Sequence, residues 1–167
     1  MSLDITRLFK YYSIRVKRLR GNPYYLARGI AFGVFMGVLP LVPIQTLLLV
    51  PLSIALRVST LAALIAATLV SNPLTFAPQY YLTWKLGNVI LPGWISWHHL
   101  EQVLLNIEHE GLIDGIITFS NLGMKAIAVI LTGGILIGLP LAVISYFVSL
   151  QFFRSMQQRR AQKHKLK

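Results

Sequence analysis

The sequence predicts an all-α integral membrane protein. Broken, re-entrant helical hairpins and transmembrane helices are expected, with amphipathic interfacial helices beside them. Three observations carry this. Only 13% of the 167 residues are charged and 55% are hydrophobic, against about 25% charged in a typical soluble domain. The uncharged stretches 29–56, 58–84 and 126–153 each exceed the roughly 20 residues that cross a bilayer. The first two are interrupted near their middles by Pro40 and Pro43 and by Asn72-Pro73. A proline removes a backbone donor and pushes the residue before it out of helical geometry.

The chain begins with a basic amphipathic segment, residues 1–22. Ile5, Leu8, Phe9, Tyr12, Val16 and Leu19 fall at spacings of three and four, one apolar stripe of a helix. The basic residues mostly occupy the other faces, as in a helix lying in the interface of an anionic membrane. Gly21-Asn22-Pro23 ends it. No small-residue cleavage site follows an apolar run, so the segment does not read as a signal peptide.

Residues 23–153 are expected to form a single membrane domain. Gly29, Gly33 and Gly37 recur every four residues and stack on one helix face, where another backbone can approach closely. The break at Pro40–Pro43 follows, then Gln45, Thr46 and a second half-helix to Leu56. Arg28 and Arg57 bracket this run, and Arg57 and Lys85 bracket the next. If all three stay on one side, both runs enter the membrane and return. The alternative is one kinked span per run. The second run places Ala62, Ala63, Ala66 and Ala67 on a small-residue face ahead of its break at Ser71-Asn72-Pro73-Leu74-Thr75. The aromatic residues Tyr80, Tyr81, Trp84, Trp94 and Trp97 mark a membrane–water boundary. Residues 100–117 read as a second amphipathic stretch and hold four of the five acids. The run 126–153 is the most continuous apolar segment and is long enough to span as one helix. A basic tail, 154–167, closes the chain.

The formal net charge of +11 comes from 16 Lys and Arg against five Asp and Glu. The basic blocks flank apolar runs, as cytoplasmic ends do under the positive-inside rule. Nucleic acid is therefore not an expected partner. No metal or cofactor is expected either. The chain has no Cys, and His98, His99, Glu101 and His109 match no ligand spacing on a helix. No acid lies inside an apolar run and no acid–base pair lies near the membrane core, so an enzyme is not expected. The polar chemistry sits at the breaks. Backbone groups freed at a break must find partners, and half-helix N-termini attract anions. Gln45, Thr46, Ser71, Asn72 and Thr75, with Arg57 on the link between the runs, are the candidate substrate-binding residues. Gly29, Gly33, Gly37, Pro40, Pro43 and Pro73 are the candidate packing and break residues. The same polar side chains also suit helix capping alone.

The residues from Ala27-Arg28-Gly29-Ile30-Ala31-Phe32-Gly33-Val34-Phe35-Met36-Gly37, with Pro40 and Gln45, then Arg57 and Ser71-Asn72-Pro73-Leu74-Thr75 through Tyr80, Tyr81, Leu86 and Gly87, resemble the bacterial family catalogued as domain of unknown function 2062. The resemblance is clearest from Pro23 to about Pro92. It implies a multi-pass protein of the bacterial inner membrane, and the basic ends place both termini in the cytoplasm. Related domains attached to glycosyltransferase-like modules imply envelope glycolipid work. The family supplies no catalytic set to carry over. Two functions are expected from these readings. One is binding or moving an anionic lipid or lipid-linked phosphate. The alternative is a non-catalytic scaffold for envelope glycolipid enzymes. The expected partners are membrane lipids, chiefly anionic, with a second copy of the chain or an envelope enzyme.

Overall fold

The computed structural model describes residues 21–39, 44–94 and 123–165, and the single positions 19, 96 and 98. Among these residues the fold is entirely helical: α1 (Pro23–Val38), α2 (Gln45–Ala55), α3 (Thr60–Val70), α4 (Pro73–Ile90) and α5 (Gly123–Lys165). The expected interfacial helices over 3–20, apart from Leu19, and over 100–117, the break residues Pro40 and Pro43, and Trp97, His99, Glu101 and His109 lie outside the described residues.

Local chemistry sets the helix ends. The Asn22 side chain accepts a hydrogen bond from the Tyr24 N–H at 3.0 Å, with Pro23 in the first turn. That position needs no donor, so proline fits it. Ser59 caps α3 in the same way, accepting from the Ala62 N–H. The α2 terminus is a Schellman motif. The Val58 N–H donates to Ser53 O and the Arg57 N–H to Ile54 O, both at 3.0 Å. This geometry needs a left-handed residue after the cap, a place usually held by glycine. Here it is Arg57, at φ 51°. Left-handed backbone costs a side-chain-bearing residue about 1–2 kcal/mol. Arg57→Gly is therefore expected to raise stability by about 1 kcal/mol, and Arg57→Ala to leave it near the wild-type value. Thermal unfolding in detergent measures both.

Helix directions follow from where small residues touch. A Cβ built on Gly29 meets Ser59 O at 2.5 Å, one on Gly33 meets Ala63 Cα at 2.7 Å, and one on Gly37 meets Val70 Cβ at 2.9 Å. Contacts that advance together by about four residues mean that α1 and α3 run parallel, in near backbone contact. Between them in sequence, α2 runs the opposite way. Its first residue, Gln45, bonds Ser71 at the end of α3, and Ser53 near its own end bonds Thr60 at the start of α3. Leu49 lies between, packed with Met36, Leu39, Ala63 and Ala67.

The long helix α5 runs antiparallel to α1. Gly138 faces Phe35. Sixteen residues later, Arg154 lies over the Tyr24 ring, its guanidinium carbon 4.9 Å from the ring centre, and donates to the Tyr24 hydroxyl. Phe153 joins Leu26 and Ala62 in a second apolar cluster at that end. Helix α4 crosses the C-terminal end of α1, where Gln79 bonds the Gly37 and Val38 carbonyls. It then packs along the first half of α5, with Thr83 against Gly133 and Gly87 against Val129.

The first uncharged run reverses direction, α1 one way and α2 back. The second run does not, which corrects the expectation of two returning hairpins. After the Ser71–Pro73 break α4 goes on past the end of α1, so α3 and α4 form a broken but advancing path. The break is as expected, but the direction taken after it is set by packing on α5. Lys85 therefore lies between the two α5 crossings, far from Arg57. On α5 those crossings stand 21–25 residues from Arg154, roughly 30–40 Å at 1.5 Å per residue.

Among the described residues, one helix is long and apolar enough to cross a membrane. It is the Ala126–Arg159 part of α5, with a window of mean hydropathy 2.6, 28% of which is buried. Its outer face stays apolar from Ile135 to Val148. Elsewhere Leu47 is 72% and Val89 74% exposed. Large apolar side chains standing open on several helices are costly in water and normal against lipid.

Candidate functional site

The described residues that flank the two breaks meet at one junction, where the C-terminal end of α1, the start of α2, the end of α3 and the first turns of α4 converge. The last carbonyls of α1 have no helical partners of their own. Gly37 O accepts from Ser71 Oγ at 2.8 Å and from Gln79 Nε2 at 2.7 Å, and Val38 O accepts from Gln79 Nε2 at 2.9 Å. Gln45 Nε2 donates to Ser71 Oγ at 3.1 Å, with the Gln45 side chain only 6% exposed. Three side chains from three helices thus close the broken end of a fourth.

The turn between α3 and α4 is held by Thr75. Its hydroxyl donates to Val70 O at 2.6 Å and accepts from the Asn72 N–H at 3.1 Å, while its own N–H donates to Asn72 O at 2.8 Å. Proline at 73 opens α4, where a missing N–H does no harm. The Thr75 hydroxyl is therefore committed to the turn. The sequence-predicted set divides accordingly. Gln45, Thr46, Ser71, Asn72 and Thr75 come together. Arg57 does not join them, because the whole length of α2 separates it from the junction. It stands exposed at the other end of α2, next to the Ser59 N–H that reaches Tyr25 O. Gly29, Gly33 and Gly37 form the α1 face against α3, Pro73 lies in the α3–α4 turn, and Pro40 and Pro43 fall outside the described residues.

Beside the junction, between α2 and α3, is a cavity of about 210 Å³ lined by Gln45, Thr46, Leu49, Leu64, Ala67, Thr68 and Ser71. Each helix contributes both amide or hydroxyl groups and apolar side chains to the lining. None of these side chains ionises near neutral pH, so the cavity can hydrogen-bond but offers no proton donor or acceptor tuned for catalysis. The level of the site along the bundle follows from α5. Gly138, level with Phe35 near the junction, lies close to the middle of the uncharged run 126–153.

Sequence reading did not single out Gln79, which supplies two of the four hydrogen bonds that close the junction. Its signal was available: a lone amide among apolar residues one position after Pro78. The Ser53–Thr60 pair at the α2–α3 turn, 2.8 Å apart with Ser53 fully buried, was also unremarked. So was the pairing of Gly87 with Val129 and of Gly133 with Thr83.

Residues 6–162 match the model of a family described as "Uncharacterized protein conserved in bacteria (DUF2062)". No curated protein and no solved structure matches the chain.

Proposed function

We propose that this protein, which belongs to the bacterial family DUF2062, is a multi-pass inner-membrane protein that binds and moves an anionic lipid or a lipid-linked phosphate. The observation that carries the reading is the polar junction with its neighbouring cavity, level with the middle of the apolar run of α5. Irregular backbone at that depth is tolerable only against protein or a wet cavity, and membrane transporters place their sites at such breaks. The rim fits an anionic head group. Arg28, Arg57 and Arg154 stand at the end where α1 and α3 begin.

In this reading α1 and α2 are a re-entrant hairpin, α3 and α4 a broken span, and α5 a full span. Both termini lie in the cytoplasm with the three arginines, as the positive-inside rule favours. Both ends of the 91–122 connection lie on the opposite side. Tyr24 and Tyr25 mark one interface. Tyr81 and Trp84, with ring centres 6.0 Å apart, mark the other together with Lys85 and Trp94. The chain has no cysteine, so single cysteines report sidedness directly. Arg57→Cys and Lys85→Cys are expected to react with a membrane-impermeant thiol reagent from opposite faces of the cell membrane. Reaction from the same face would restore the two-hairpin topology.

Transport is tested in vesicles carrying a fluorescent anionic lipid whose outer-leaflet copies are quenched chemically. The protein is expected to expose inner-leaflet copies within the assay, and Gln45→Ala and Asn72→Ala to slow this at least fivefold with insertion unchanged. Rates equal to protein-free vesicles would defeat the reading. The scaffold alternative draws on the same junction, since the Ser71, Thr75 and Gln79 donors are all spent on the protein's own carbonyls. It gains if lipid movement is absent while the fold is intact.

A further inference from the structure

We infer that the cavity between α2 and α3 is a niche for an uncharged hydrogen-bonding group, a hydroxyl or an ester carbonyl, and that the phosphate of the same ligand stays outside it. The inference deepens the lipid-handling reading and depends on it for its biological setting. Its chemistry stands on the cavity itself.

The lining contains no charged side chain. A phosphate carried into this cavity would meet no cationic side chain, and the N–H groups at the α2 N-terminus offset only part of its lost hydration. The nearest basic cluster among the described residues, with Arg57, lies a full helix length away. A neutral group meets no such penalty.

Gln45 supplies the hydrogen-bonding specificity. Its amide has two N–H donors and two acceptor lone pairs. One N–H goes to Ser71 Oγ at 3.1 Å. Ser71 has a single proton to give, and lies 2.8 Å from Gly37 O and 3.2 Å from Gln45 Oε1. When that proton goes to the shorter contact, Gln45 Oε1 is left without a donor, and one Gln45 N–H is also unused by any described residue. The side chain is more than nine-tenths buried and lines the cavity. Thr46 lines it too, and its hydroxyl bonds no described residue. A group that both accepts and donates completes this set. Leu49, Leu64 and Ala67 give it an apolar surround. The volume, about 210 Å³, corresponds to roughly seven waters of liquid, enough for the glycerol portion of a lipid and too small for a whole one.

The test uses Thr46→Cys, a near-isosteric change in a chain with no other cysteine. The protein is placed in vesicles of ether-linked phosphatidylcholine, which present neither an ester carbonyl nor a free hydroxyl. The rate of modification by a small neutral thiol reagent is then measured alone, with diacylglycerol, with free glycerol, and with inorganic phosphate. Diacylglycerol is expected to slow modification at least fivefold and phosphate to leave it unchanged. Gln45→Leu, which keeps the bulk and removes the amide, is expected to abolish the protection. Protection by diacylglycerol alone assigns the niche to a lipid. Additional protection by glycerol assigns it to the hydroxyl-bearing group whatever its source. The inference is overturned if Thr46→Cys does not react without additive, if phosphate alone protects, if nothing protects, or if Gln45→Leu is protected as well as the parent. Lipid movement without protection defeats the niche and spares the transport reading. Protection without movement does the reverse.

Discussion

Gly133→Ala is expected to destabilise the protein severely. A Cβ at this position would lie 2.7 Å from the Thr83 carbonyl carbon and 2.8 Å from the Gly87 nitrogen. Both are backbone atoms of a helix, and neither can swing aside as a side-chain tip can. Gly87 repeats the clash from the other side, its Cβ meeting the Val129 carbonyl carbon at 2.8 Å. The single methyl therefore forces α4 away from α5 along their whole contact. Overpacking of this kind costs about 3 kcal/mol, and α4 has no described packing partner as extensive as α5. Gly138→Ala is the control. Its Cβ meets the Phe35 ring edge at 3.1 Å, and a ring can tilt. The expected loss there is about 1 kcal/mol. Expression in the membrane fraction and unfolding by denaturing detergent separate the two. A Gly133→Ala protein as stable as the wild type would mean that α4 does not pack on α5 as the structure has it.

The second large effect belongs to Gln79. Gln79→Leu keeps most of the volume and removes both hydrogen bonds to the end of α1. Gly37 O retains Ser71, but Val38 O loses the Gln79 donor that bonds it among the described residues. A buried carbonyl left without a partner costs about 1–3 kcal/mol, and the lost bond to Gly37 O adds to it. An overall loss of about 2–3 kcal/mol is expected. Gln45→Ala removes one bond to Ser71, whose contact with Gly37 O survives, and is expected to cost only about 1 kcal/mol. The order Gln79 before Gln45 in stability, with Gln45 before Gln79 in lipid movement, distinguishes a residue that holds the junction from one that lines the cavity. A double variant, Gln45→Cys with Ser71→Cys, checks the meeting of the breaks directly. The Gln45 amide tip reaches Ser71 Oγ at 3.1 Å, and cysteine is too short to bring two sulfurs into disulfide range from that contact. Cross-linking by a short bifunctional thiol reagent is therefore expected, and its failure in an otherwise folded protein would deny that the breaks face each other.

Much of the fold was legible in one dimension because its causes are local. Prolines and Asn72-Pro73 interrupt helices wherever they stand. Asn22 and Ser59 cap because their side chains reach the next turn's N–H groups. A glycine every fourth residue makes a flat helix face without any neighbour's help, and the alanines of α3 make another. The polar residues of the breaks could be found in the same way. Their division into turn-holding Thr75, junction-holding Ser71 and cavity-lining Gln45 and Thr46 could not, since it depends on which carbonyl or space each side chain meets.

Sequence alone thus determined the helical class of the chain, the positions of its breaks and the faces on which its helices can pack closely. Tertiary structure decided the course of the chain after the second break. Arg57 and Lys85 look alike as single charges beside an uncharged run, yet α4 carries Lys85 away from Arg57. The cause lies more than 40 residues further on, where Val129 and Gly133 of α5 leave room for the Gly87 and Thr83 backbone. The same long-range packing brings Gln79 to the open end of α1. A break frees the backbone to turn in several directions, and only the surface that accepts the next helix selects one.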